Sequence, residues 1–164
     1  MKDPLATYLH DHLAGAAFAV ELLEALRDQH SAEPLGQFAS DLLIEVEKDR
    51  TTLRDLTKLF DTDSNILKEA ASWLSEKASR LKLRRHAEGT LGTFETLEAL
   101  ALGILGKEAL WTTLANISAQ DLRLQGLDYP GLIVRARTQH VQAETRRICL
   151  SNTAFAPGEK RSPD

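Results

Sequence analysis

Phe38, Leu42, Val46, Leu53, Leu56 and Phe60 recur at a spacing that sets them on one side of a helix turning about 100° per residue. A stripe of that kind faces an interior. Asp49 stands inside the stripe and Glu45 borders it one turn earlier. A carboxylate turned toward an apolar interior is costly unless something pairs with it. The chain must therefore fold so that other segments bring polar partners to the middle of this helix. A bundle of helices does this directly, because each long helix can offer one inward polar residue at the same height.

The rest of the sequence agrees with helices. Leu, Ala and Glu are abundant and aromatics are 5% of 164 residues, which favours aliphatic helix packing over a sheet. Asp3 and Pro4 predict the start of a first helix that runs to about residue 29. Its inward face is Leu5, Leu9, Leu13, Ala16, Val20 and Leu23, with His12 in the arc and His10 and Asp11 pointing away. The small run Ala14-Gly15-Ala16-Ala17 would let a neighbour come close. After a turn at 29–34, the second helix covers about 35–60. Asp61-Thr62-Asp63-Ser64 breaks it and caps a third segment over about 65–83.

That segment carries a narrower stripe of Ile66, Ala70, Trp73, Leu74, Lys77 and Leu81, and one of its faces could bind a second copy of the chain as a homodimer. A break at 86–92 precedes the fourth helix, about 93–117, which is apolar on nearly every side and is thus expected to be surrounded by others. Glu108 falls in its inward arc and Glu98 near the edge. The stretch 118–129 reads as a turn. Asp128 and Pro130 start a last helix to about 150, its stripe Leu132, Ile133, Ala136, Ala143 and Leu150 with His140 and Arg147 inside it. Residues 1–155 thus read as one domain, and 156–164, with two prolines and four charges, as a disordered tail.

Charge and cysteine content exclude several functions. With 20 basic and 24 acidic residues the net charge is −4, which argues against a general affinity for nucleic acid or anionic membranes. The run Lys82-Leu83-Arg84-Arg85-His86 is too short to reverse this and suits a helix C-terminus. Cys149 is the single cysteine, so neither an intrachain disulfide nor a thiolate zinc cluster can form within one chain. No apolar run approaches the roughly 20 residues that span a bilayer. Asp3, Pro4, His10, Asp11 and His12 interrupt any secretory pattern, so a cytoplasmic setting is expected.

If the 65–83 segment runs back along the bundle, His12, Asp49 with Glu45, Glu108 and His140 fall within about two turns of one another in height. Glu98 and Arg147 pair above them. Three readings of that quartet stay open. It can be a structural hydrogen-bond network, a divalent metal site for zinc, iron or manganese, or one wall of a small-molecule pocket, which requires an apolar cavity beside His12 and Glu108. Glu144, one turn after His140, and Arg147 would stand just behind such ligands. No strand-turn-helix elbow frames a nucleophilic serine and no Gly-rich phosphate loop is present, so no catalytic residue is assigned. Trp73 and Trp111 read as core or interface anchors.

Two long helices, a long crossing segment and two more long helices resemble the ferritin-like bundle. Ile44-Glu45-Val46-Glu47-Lys48-Asp49-Arg50 is similar to the second helix of its small bacterial stress-related branches. The resemblance covers most of the chain in layout. It implies an all-α, up-down four-helix bundle with an additional crossover helix, and iron binding or oxidation. In that family the second and last helices carry Glu-x-x-His. Here Glu45 with Asp49 and His140 with Glu144 stand at those positions, His12 at that of the first-helix Glu, and Glu108 or Glu98 at that of the third. Tyr8-Leu9-His10-Asp11-His12-Leu13-Ala14-Gly15 and Leu102-Gly103-Ile104-Leu105-Gly106-Lys107 are also similar to bacterial helical proteins, a likeness that implies no activity. The expected function is a non-enzymatic bundle whose inward His, Asp and Glu form a network open to a divalent metal. The alternative is a degenerate di-iron oxidase or iron-handling stress protein.

Overall fold

In a computed structural model, residues 3–60 and 89–156 are described. Their regular structure is four α-helices with no strand: α1 Pro4–Gln29, α2 Pro34–Lys58, α3 Thr90–Ile117 and α4 Tyr129–Ala154, with one 3-10 turn at Leu122–Leu124. The expected 65–83 helix, its dimer face, the 82–86 basic run and the tail from 157 lie outside the described residues. No helix of the described residues is long and apolar enough to cross a membrane.

The starts follow from local chemistry. Asp3 Oδ1 accepts the Leu5 N–H at 2.9 Å, and Asp128 Oδ1 accepts that of Gly131 at 3.0 Å. Each carboxylate satisfies an otherwise orphaned amide, with a proline at the first or second helical position. The turn between α1 and α2 is so tight that a Cβ on Gly36 would lie 2.1 Å from the His30 carbonyl oxygen, a position only glycine can hold. Gly89 opens α3 with φ +109°, the left-handed region open to glycine.

Side-chain contacts fix the directions of the helices. At one end, His30 in the α1–α2 turn reaches Glu33 Oε2 at 3.0 Å with Nδ1 and Thr93 Oγ1 in the first turn of α3 at 3.2 Å with Nε2. Phe94 meets Phe155 at the same end, ring centroids 5.1 Å apart. At the other end, Arg123 stacks on Phe60 at 3.9 Å and pairs with Asp121 and, at 3.7 Å, with Asp3. So α2 and α3 run the same way, α1 and α4 run the opposite way, and Phe60 and Gly89 stand at opposite ends. The closest helix pairs are α1 with α2 and α3 with α4, and α1 also packs on α3. Long side chains of α4 complete the contact with α2, as where Arg146 lies 3.7 Å over the Phe38 ring.

The interior consists of two apolar clusters. One holds Leu22, Leu23, Leu26, Phe38, Leu42, Val46, Leu97, Leu100 and Ile104. The other holds Leu9, Leu53, Leu56, Phe60, Leu110, Trp111, Leu114, Leu124 and Leu132. The seam between them crosses α2 between Val46 and Leu53, α3 between Ile104 and Leu110, and α4 between Ala136 and Ala143. Asp49, Lys107 and Gln139 sit on that seam.

Candidate functional site

Asp49 is 3% exposed, as its place in the α2 stripe requires. Its partners come from α3 and α4. Lys107 Nζ donates to Asp49 Oδ2 at 2.5 Å, and Arg135 Nη2 stands 2.5 Å from Oδ1. Lys107 also donates to the Oε1 of Gln139, a fully buried amide. Gln139 Nε2 in turn donates to Glu45 Oε2 at 2.7 Å, at the exposed edge of α2. A neutral amide thus relays between a buried cation and a wet carboxylate. The Arg135 contact is Coulombic more than directional, because neither Asp49 Oδ1 nor Arg135 Nε has an aligned hydrogen bond. Burial pushes the Lys107 ammonium below the ordinary lysine range, against the pull of Asp49 in the other direction.

Several expected positions differ from this layer. Glu108 does not face Asp49; it sits between α3 and α4 and accepts from Arg137 Nε at 2.7 Å. Its neighbour Lys107, 100° around the helix, takes the inward place. His140 is half-buried, whereas the adjacent Gln139 is the residue that reaches the layer. His140 lies near Glu144, whose carboxyl is held low chiefly by its hydrogen bond from Arg147 and least by His140. His10, expected to face water, is 2% exposed, because α1 packs against two neighbours and buries a wider arc than one stripe. His12 is half-buried, in edge contact with Tyr8 at 4.6 Å, and burial lowers its imidazolium pKa against a smaller opposing effect of Asp11. Glu98 meets Arg147 at 3.6 Å, the pairing read from the sequence, although Glu144 holds the same guanidinium more closely at 2.5 Å. Among the described residues no three His, Cys, Asp or Glu side chains gather as metal ligands, so His12, Glu45, Asp49, Glu108 and His140 do not share one centre.

Lys107, Arg135 and Gln139 are not among the inward residues read from the sequence, which on α3 and α4 are Glu108, His140 and Arg147. A signal for Lys107 was present: it is the one basic residue in the apolar run 97–114, and a buried acid needs a cation.

Beside the layer, between α1, α2 and α3, is a cavity of about 140 Å³. Its walls are mostly apolar, among them Ala16, Phe18, Ala19, Val46, Leu53, Ile104 and Leu110. Its polar wall is His12, Asp49, Arg50, Lys107 and Trp111. It exists where α1 offers Gly15, Ala16 and Ala19 and α3 offers Gly103 in place of long side chains. Gly15 and Gly103 line it and are exposed, so it reaches the surface between α1 and α3. A Cβ added at either would meet nothing within 4 Å among the described residues. Trp111 is 0% exposed, and its indole Nε1–H has no hydrogen-bond acceptor among the described residues. Buried donors are rarely left in that condition. Compared with protein-family models, with curated proteins and with solved structures, the chain matches none of them.

Proposed function

We propose that the chain is a non-catalytic helical bundle that holds a small, mostly apolar molecule in the cavity between α1, α2 and α3. The observation that carries this is a mostly apolar cavity lined by Trp111, whose buried indole N–H meets no acceptor among the described residues. An engineered cavity of similar size, about 150 Å³, takes up benzene, so about 140 Å³ admits one aromatic ring or a short chain. The cavity lies beside His12, as a pocket reading of the sequence requires, although Glu108 is not in its wall. In the ionic layer, the carboxylate and its two cations engage one another, which supports a structural role for that layer.

Kinship to the ferritin-like bundle remains part of the proposal. Its support is the common direction of α2 and α3 and the opposite direction of α1 and α4. The iron chemistry that kinship implies does not fit the groups at mid-height. There Asp49 is met on one oxygen by Lys107 and on the other by Arg135, and an entering metal cation would confront both. Among the described residues no group of three His, Cys, Asp or Glu side chains that could hold a metal includes Asp49.

The test is calorimetric titration of the untagged full-length chain with toluene and with indole, alongside its thermal unfolding. Saturable binding is expected, with stabilisation of about 2.7 kcal/mol at a hundredfold excess over Kd. Ala16→Leu, which extends a side chain from the cavity wall, should abolish it. Absence of binding, or binding unchanged in a folded Ala16→Leu protein, refutes the proposal.

A further inference from the structure

We infer that the cavity takes a small monocarboxylate, an apolar body about the size of one aromatic ring carrying a single acidic group. This rests on the pocket proposed above and adds the chemical class of its ligand.

The polar wall is rich in donors and short of acceptors. Among the described residues Asp49 is its one carboxylate, and cations already meet both oxygens, Lys107 at Oδ2 and Arg135 at Oδ1. The layer beside the cavity therefore sets one negative charge against two positive ones. Glu45 lies beyond Gln139 and is exposed, so water weakens its share in that balance. Arg50 is the second cation of the wall beside Lys107, with Glu47 at 3.1 Å as its partner outside the cavity. A positively biased, poorly hydrated recess favours an anion, because charges in a low-dielectric surrounding interact more strongly than in water.

Hydrogen bonding points the same way. A lysine ammonium has three N–H donors, and Asp49 and Gln139 accept two of those of Lys107. Trp111, in the same lining, carries an indole N–H that lacks an acceptor among the described residues. A carboxylate supplies acceptors with several lone pairs, whereas an ammonium supplies none. A cationic ligand would set a further donor among Lys107, Arg50 and Trp111. The remaining walls, from Ala19 and Val46 to Ile104 and Leu110, suit the apolar body. At the mouth, Gly15 and Gly103 carry no side chain, and a Cβ added at either would meet nothing within 4 Å among the described residues.

The probes are benzoate, benzyl alcohol and benzylammonium, which share one ring and differ in the charge of the head. Each is titrated calorimetrically into the full chain at neutral pH. Benzoate is expected to bind about tenfold tighter than the alcohol, the scale of one charge-assisted hydrogen bond, with the ammonium weakest. Trp111→Phe keeps a ring in the core but removes the N–H, and should cut benzoate affinity several-fold while leaving the alcohol less affected. Raising the salt concentration should weaken benzoate selectively. If alcohol and benzoate bind equally, or the ammonium binds best, the monocarboxylate assignment is overturned while the pocket stands. If none of the three binds, both are overturned.

Discussion

Replacing Asp49 by alanine isolates the energetics of the buried layer. The substitution removes the carboxylate that meets both Lys107 and Arg135. Breaking a buried pair by deleting one partner costs about 3–5 kcal/mol, because the remaining charge stays buried without compensation. Here the stranded side chains keep some water, Lys107 at 15% exposure and Arg135 at 30%, so their charges are partly solvated. A loss of about 2–4 kcal/mol follows once that relief is applied to the buried-pair range. In a chain of this length it corresponds to roughly 5–15 °C in Tm. The assay is equilibrium urea unfolding followed by far-ultraviolet circular dichroism, with the slope checked for constancy. Lys107→Met is measured alone and together with Asp49→Ala to close a double-mutant cycle. Because neutralising both partners leaves less uncompensated charge, the double variant should lose less than the sum of the singles. A loss below about 0.5 kcal/mol for Asp49→Ala, the usual surface range, or strict additivity in the cycle, would refute the layer as drawn.

Two glycines should respond in opposite ways. Gly36→Ala is expected to destabilise by more than about 1 kcal/mol, because its Cβ would meet the His30 carbonyl oxygen at 2.1 Å. Gly103→Ala, in a helix interior with open space around the new methyl, should stabilise by about 0.5–1 kcal/mol in the same unfolding assay. Glu108→Gln is expected to cost under about 1 kcal/mol, since the partner Arg137 is mostly exposed and such pairs are weak. His12 gives a pH dependence. Burial lowers its folded pKa below the unfolded value of 6.5, so the unfolded chain binds the extra proton first. Its stabilising contribution is complete above 6.5 and is lost as pH falls through the folded pKa. His12→Gln should flatten that part of the stability–pH curve, and an unchanged slope would show that His12 does not titrate differently on folding.

The parts of the fold that were legible are those whose sequence carries a direction. In α2, apolar and charged residues alternate sharply at helical spacing, so Asp49 could be placed inward from the pattern alone. In α3 the pattern is nearly isotropic: Leu102 and Leu105 are exposed while Leu100 and Ile104 are buried. An arc read from such a helix has no reliable centre, and an error of one residue is a rotation of 100°. That is why Glu108 was read in the place that Lys107 holds. The same slip on α4 exchanged His140 for Gln139, and it was easier to make because a neutral amide does not announce itself as a partner for a charge. The cavity left a trace as well, in the small residues from Ala14 to Ala17. A run of small residues permits either close helix approach or vacant space, and only the packing of α1 against α2 and α3 decides between them.

The division of the interior into two clusters gives the ionic layer a further consequence for the fold. Leucine-rich helices can slide along one another by a turn at modest cost, since one aliphatic contact resembles the next. Asp49, Lys107, Arg135 and Gln139 do not allow such slippage. A shift of one turn, about 5.4 Å, would pull every donor in the layer out of reach of its acceptor while the groups stayed buried. The apolar clusters supply the driving force for assembly, and the layer between them selects which heights on α2, α3 and α4 coincide. An apolar replacement of the layer, Asp49→Leu with Lys107→Met and Gln139→Leu, should therefore recover much of the stability that Asp49→Ala loses. It should also broaden the amide NMR spectrum if slipped packings become populated. A spectrum as sharp as that of the wild type would mean that the turns and caps alone set the register, leaving the layer no part in specifying it.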